Sequence, residues 1–523
     1  MNTIIVICYA KRYFLFSKTN SIVNYDYSGR AVGGSGVHNA MINVRALPTD
    51  FDNWNVTKWS HEEVMPYFNK LETFIDNPPP SFLQHTVGNN QSRGTSGPLT
   101  TGTLGNLISP LATDFILSSL STGIPLASLG FNDADPSKRI GVGLYEFNIR
   151  GGIRDSVAEA YFRRSLPTNL HILTGATVQR AIFQKSDEIG VIPTAVGVEY
   201  YIEKSRIPRF AMLRQGSKDE TEVIFSAGAI FTPQLLANSG IEEGGNIKNS
   251  TEVGKNLMDH PAIAVSFEMT RDSTEEVLSY FFGNSVSDTF EDLIRSRMNQ
   301  WVPYIDSPLS TPGFSTGGFL KSPLCTQHGP DIQLTVFPHL EEPHYSLSNK
   351  KMSEQWSYMM ITVALIQPET RSELILARSG GKESTLNRQS NVDAVPNFQI
   401  PMLKSGSLTE NDVSKMVWGI EQVRKIMSSA PVANRIEREA SPGKLVSGDS
   451  LKEYVRNNIM QNSHWSGTCR MGTDEKSVVD EFLRVRGVRN LRVLDASIMP
   501  QIPNGNTHST TCAIALRGVD LMR

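Results

Sequence analysis

The stretch NLRVLDASIMPQIPNGNTHSTT, Asn490–Thr511, restricts the fold more than any other part of the chain. It opens on a short apolar run, Leu491–Leu494, that reads as a buried strand. The run leads into a turn broken by Pro500, Pro503 and Gly505, and that turn carries Asn506 and Thr507. Loops at strand ends are where ligand groups gather in α/β proteins. A second unit of the same kind is VIFSAGAIFTPQLLANSGI, Val223–Ile241. Its apolar strand is followed by a small-residue turn at Ser226–Ala229 and a short helix, for which Thr232 is the expected N-cap, Pro233 the first position and Gly240 the stop. A helix start beside small residues suits a phosphate.

The segment SHWSGTCRMG, Ser463–Gly472, has neither a helical nor a strand period. It presents His464 ahead of small and polar residues rather than packing it. Histidine with an amide suits alcohol oxidation. A simple alcohol is about as weak an acid as bulk water, pKa ~15.7, and hydride leaves its carbon with difficulty while the oxygen keeps its proton. Neutral imidazole is the side chain best able to take that proton near neutral pH. An Asn amide can donate to the oxygen as charge develops there. The hydride needs an acceptor that no side chain provides, so this chemistry implies a redox cofactor.

The whole C-terminal segment resembles that of the glucose-methanol-choline (GMC) family of flavin oxidoreductases. The family's histidine-GTxRMG element matches His464–Gly472, its LRVxDASxMP element matches Leu491–Pro500, and its final helix matches Ala513–Met522. Through that match His464 is the expected base and Asn506 its partner, at a position that is Asn in choline- and methanol-oxidising members. His508, two residues further on, reads as a loop or surface histidine. GRAVGGSGVHNAMINVRALPTDFDNW, Gly29–Trp54, resembles the family element that runs beside flavin and pyrophosphate, with Gly33, Gly34, Ser35, Asn39 and Arg45 on matching positions. His38 stands where choline-oxidising relatives attach flavin covalently; the alternative is a polar neighbour of the ring with no bond to it. The resemblance also places the Val178 backbone against adenine and Asp495, Ala496, Asn506 and Thr507 beside the cofactor. GVGLYEFNIRGGIRDSVAEAYF from Gly141, and VGKNLMDHP at Val253–Pro261, extend the match; there Asp259 and His260 read as structural.

The resemblance implies FAD, possible covalent attachment through His38, a small-molecule alcohol, and oxygen or another acceptor that reoxidises the flavin. It implies an α/β fold: a FAD-binding Rossmann-like domain from 1–75, 130–262 and 458–523, and a substrate domain from 76–129 and 263–457 built on a mixed, largely antiparallel sheet. The family hosts hydroxynitrile lyases and fatty-acid photodecarboxylases too, so a non-oxidative flavin enzyme is the alternative. The dinucleotide unit is incomplete, because no GxGxxG occurs in the chain, although TIIVICYA could imitate its first strand. A truncated sequence or a chain that binds flavin poorly, even a flavin-free remnant, would explain this; the intact downstream elements favour truncation.

Fifty basic against fifty-three acidic side chains leave a net charge of −3 with no basic stripe, which argues against nucleic acid. Cys8, Cys325, Cys469 and Cys512 show no paired spacing, which argues against a disulfide framework or structural zinc and favours a reducing compartment, cytoplasmic or organellar. Lys11 and Arg12 break the apolar start into runs far shorter than the ~20 residues that span a bilayer. WSHEEVMPYFNKLETFI is expected to be an amphipathic helix with a Ser60/Glu63 capping box, and Gly88–Leu99 a loop or lid. His171–Thr174 is expected to be a strand ending at Gly175, and Asn411–Met427 a helix. In FPHLEEPHY, His339 and His344 lie near two glutamates, but Pro338 and Pro343 deny them helical metal-site spacing; Tyr345 and Trp418 are pocket candidates.

Overall fold

A computed structural model of the chain describes residues 31–77, 93–127, 130–163, 166–184, 191–202, 205–214, 221–242, 252–282, 308–340, 357–376 and 407–522, with a few isolated positions and the backbone of 4–6, 13–16, 23–26 and 402–404. His344, Tyr345 and most of the expected lid lie outside the described residues, as does the side chain of His339.

The two strand-and-turn units pair with each other. Val223–Phe225 is the central strand of a three-stranded parallel sheet, flanked by Leu491–Val493 on one side and Ile4–Val6 on the other. TIIVICYA therefore does supply a strand beside this sheet. Val223, Phe225 and Val493 are wholly buried, as an apolar run covered on both faces requires. A meander of Ala176–Phe183, Ala195–Ile202 and Arg209–Met212 packs into the same core. Its first strand begins after Gly175, whose φ of +66° turns the chain, so 171–174 is irregular rather than the expected strand.

The second core lies against a six-stranded sheet ordered 436–441, 262–269, 358–365, 332–340, 316–320, 141–144. Every pairing in it is antiparallel. The helix Glu410–Met427 covers it with Val413, Met416, Ile420, Val423 and Ile426. Thr409 caps that helix by accepting from the Asp412 N–H at 3.0 Å, so the helix starts one residue before the expected Asn411. Trp418 on this helix packs half-buried against the core.

The helix His61–Leu71 has its expected Ser60/Glu63 capping box and buries Val64, Phe68 and Leu71. It stops earlier than its apolar face suggests: Glu72–Ile75 turns into a strand parallel to Leu99–Gly102, and Ile75 is exposed. The cause is Glu72, whose carboxylate is drawn into a buried ion network. Arg93 bridges Glu72 and Glu146, each at 2.7 Å, and Arg45 reaches Glu72 at 2.5 Å. Arg45 thus anchors packing. Among the described residues no helix is long and apolar enough to cross a membrane, and no cluster of His, Cys, Asp or Glu could hold a metal ion.

Candidate active site

The helix after Val223–Phe225 runs Gly228–Asn238, so it starts four residues before the expected Thr232 cap. Gly228 adopts φ +81°, which lets the chain turn at once from strand to helix. Asp495, at the end of the neighbouring strand, accepts from the Gly228 N–H at 2.9 Å, the Thr232 hydroxyl at 2.5 Å and the Ser497 N–H at 2.8 Å. Burial pushes the Asp495 carboxyl up, against the lowering effect of Ser497 and Thr232. It thereby ties the two strand ends together.

The loop 31–39 lies against Ala158 and the start of the final helix. Gly33 has φ +101°, and a Cβ there would stand 2.8 Å from Val37 and 3.0 Å from Ala158. Gly34 (φ +59°) and Gly228 have no protein atom within 4 Å of where a Cβ would lie, so their backbones face open space. Ser35 is exposed and its hydroxyl accepts from the Gly29 N–H; Asn39 accepts from Arg154 at 2.7 Å. His38 is exposed. His508 is not a surface histidine: it is half-buried, and a Cβ on Gly36 would meet its Nε2 at 2.9 Å. Burial and then Arg154 lower its pKa to about 4. This contact brings the start of the final helix, with Thr507 as its N-cap, against the glycine loop.

The 463–472 segment runs beside Ala496–Ile498: the N–H groups of Gly467, Cys469 and Met471 donate to the carbonyls of Ala496, Ser497 and Ile498. Asp259 fixes its beginning, accepting from the backbone of His464 at 2.7 Å, His260 at 2.8 Å and Asn462 at 3.0 Å. His464 is half-buried and stands edge-on to His260. Its Nε2 meets Asn506 Nδ2 at 3.0 Å, and its Nδ1 meets His260 Nδ1 at 2.9 Å. Asn506 Oδ1 accepts from Gln333 Nε2 at 3.1 Å, which also donates to Tyr145 Oη at 3.1 Å. Burial lowers the His464 pKa to about 4, so its imidazole is neutral at physiological pH.

Of the residues expected from the sequence, His464 and Asn506 are in direct contact, Thr507 follows Asn506 in the chain, the Ala496 carbonyl accepts from Gly467 in the His464 segment, and the glycine loop meets His508. Val178 stands apart, buried in the meander opposite Tyr200. Sequence reasoning missed His260, Gln333 and Tyr145. VGKNLMDHP drew notice without revealing that its histidine touches His464, and nothing in the strand sequences sets Gln333 or Tyr145 apart.

The structure thus offers a parallel sheet with a glycine turn after its central strand and a neutral histidine paired with an amide. The chain belongs to the GMC oxidoreductase family, which it matches over residues 15–262 for the N-terminal part and 384–515 for the C-terminal part. It is 28% identical to an alcohol dehydrogenase [acceptor] of Pseudomonas putida, covering 94% of this chain and 81% of that protein. It is 29% identical to the mitochondrial choline dehydrogenase of Homo sapiens (95% and 75% covered) and 27% to the chloroplastic fatty acid photodecarboxylase of Chlamydomonas reinhardtii (95% and 78%). Its fold is shared with pyridoxine 4-oxidase from Mesorbium loti, TM-score 0.73 at 22% identity over 98% of this chain and 88% of that one. A fungal aryl-alcohol oxidase gives 0.72 at 18% identity, over 99% and 94%.

Proposed function

We propose that the protein is an FAD-dependent oxidoreductase of alcohols in which His464 is the base and Asn506 its partner. The 3.0 Å contact between His464 Nε2 and Asn506 Nδ2 carries this reading, because it sets a proton acceptor and a hydrogen-bond donor side by side. A substrate hydroxyl within reach of both gives its proton to Nε2 and accepts a hydrogen bond from the amide as its oxygen gains charge. Depression of the imidazole pKa keeps it unprotonated and ready.

The backbone at Gly34 and Gly228, left clear of other protein atoms, suits a flat phosphate-bearing group, so the residues present fit FAD. The loop Gly33–Asn39 with Asp495, Ala496 and Thr507 would hold it, and Val178 would line its adenine end. When bound, FAD supplies the acceptor for the hydride.

The relatives' activities, on alcohols and choline, support the oxidative reading. The similarity to a photodecarboxylase supports a second, non-oxidative one. Purified protein supplied with FAD and mixed anaerobically with a panel of alcohols separates them: the oxidative reading expects the yellow colour to bleach. Colour that every alcohol leaves unchanged favours the second reading, and protein that takes up no FAD rejects both. Acid precipitation tests a covalent link through His38, which leaves yellow in the pellet.

A further inference from the structure

We propose that His260 is a positioning residue that accepts the Nδ1 proton of His464 and thereby keeps the lone pair of His464 Nε2 facing Asn506. The inference concerns a histidine tautomer, and its link to catalysis rests on the reading of His464 as the base.

The direction of every hydrogen bond in the chain of side chains is fixed from one end. Tyr145 Oη donates to the backbone carbonyl of Leu334 at 2.7 Å, a group that can only accept. The Tyr145 oxygen is then the acceptor for Gln333, whose NH2 group must point to it and, with its second proton, to Asn506 Oδ1. With its oxygen so engaged, Asn506 turns its NH2 group to His464 Nε2. A ring nitrogen that accepts carries no proton, so in neutral His464 the proton is on Nδ1, and it is donated to His260 Nδ1.

His260 is fully buried, and the carbonyls of Pro503 and Ile366 stand against its ring. Its Nε2 is enclosed with no hydrogen-bond partner. As acceptor of the His464 proton, His260 Nδ1 is bare, and in the neutral ring the proton of His260 is on Nε2. Asp259, which accepts from the backbone N–H of both histidines, holds the two rings in register.

The opposite tautomer of His464 would turn an N–H against the Asn506 amide and leave no lone pair for the substrate proton. Holding a catalytic imidazole in the correct tautomer has large effects on turnover in other histidine-dependent sites.

The test uses the full chain with isotope-labelled histidine, in which long-range proton–nitrogen NMR reads the tautomer of each ring without FAD or substrate. The His464 signals are assigned by their loss in His464→Gln. The expected result is protonated Nδ1 and bare Nε2; protonated Nε2 overturns the inference. His260→Leu removes the acceptor and is expected to mix the tautomers and, in FAD-loaded protein, to lower kcat at least about tenfold with little change in KM. His260→Asn places an amide oxygen where Nδ1 stood and is expected to restore both readouts. A His260→Leu protein that keeps the Nδ1 tautomer, or a folded His260→Asn protein that fails to recover it, refutes the role. Should the protein bleach with no alcohol, the tautomer measurement still decides the inference while the functional reading fails separately.

Discussion

Removing the Asp259 carboxylate tests how the site is held. In the structure it accepts three backbone N–H groups, at 2.7, 2.8 and 3.0 Å, and so joins 259–260 to 462–464. Hydrogen bonds to a charged acceptor contribute about 1.5–3 kcal/mol each. Three at the lower figure give roughly 4.5 kcal/mol, and access of water to the half-buried His464 and Asn462 reduces this, so Asp259→Ala is expected to lower stability by about 3–4 kcal/mol. Asp259→Asn keeps an oxygen for His260 and His464 but turns an NH2 group toward the Asn462 N–H, and is expected to lose about half as much, ~1.5–2 kcal/mol. Urea unfolding followed by tryptophan fluorescence measures both through the midpoint at unchanged slope. A loss under about 1 kcal/mol for Asp259→Ala, or equal losses for the two variants, would refute the reasoning.

Gln333→Glu replaces the donor to Asn506 by an acceptor, so the amide should flip and present its oxygen to His464. Flavin bleaching by alcohol is expected to fall at least about tenfold, with the His464 pKa rising; unchanged bleaching at neutral pH contradicts the hydrogen-bond order. Thr232→Val removes a hydroxyl that donates to Asp495 at 2.5 Å and accepts from the Ala227 N–H at 3.0 Å, and is expected to lower stability by about 1–3 kcal/mol in the same urea assay. His464 and His508 both have pKa values lowered to about 4, below the ordinary histidine value of 6.5. The unfolded chain therefore binds more protons than the folded one between these values. Stability should be full above about 6.5 and fall as pH drops toward 4. Replacing His508 by Gln should flatten that fall in a thermal melt; an unaltered slope argues against its burial as a neutral group.

How much of this was legible in the sequence depended on whether chemistry or packing carried the signal. His464 and Asn506 lie in segments whose residue types already suit proton transfer, and the two meet as expected. The strands at Val223 and Leu491 were legible because each is a short apolar run bounded by small residues. Thr232 was misread because its position before Pro233 satisfies the local rule for a cap, whereas the helix start is set by Gly228 and by Asp495, hundreds of residues away. Glu72 ended the amphipathic helix early for a similar reason, since its ion partners Arg93 and Arg45 are distant in sequence. Gln333 was invisible because a glutamine in an apolar strand has no pattern of its own; only the antiparallel pairing brings it to Asn506. His508 reads as a surface residue because the glycine loop that packs over it is distant in sequence.

The proposed reaction turns on the lone pair of one neutral imidazole. Its most direct test is the limiting rate at which an alcohol bleaches the FAD-loaded protein under anaerobic stopped flow, compared between the native chain and His464→Ala. The rate is expected to fall at least about 100-fold, with the alcohol concentration giving half the limiting rate nearly unchanged. Equal rates would show that the hydroxyl proton leaves by another path.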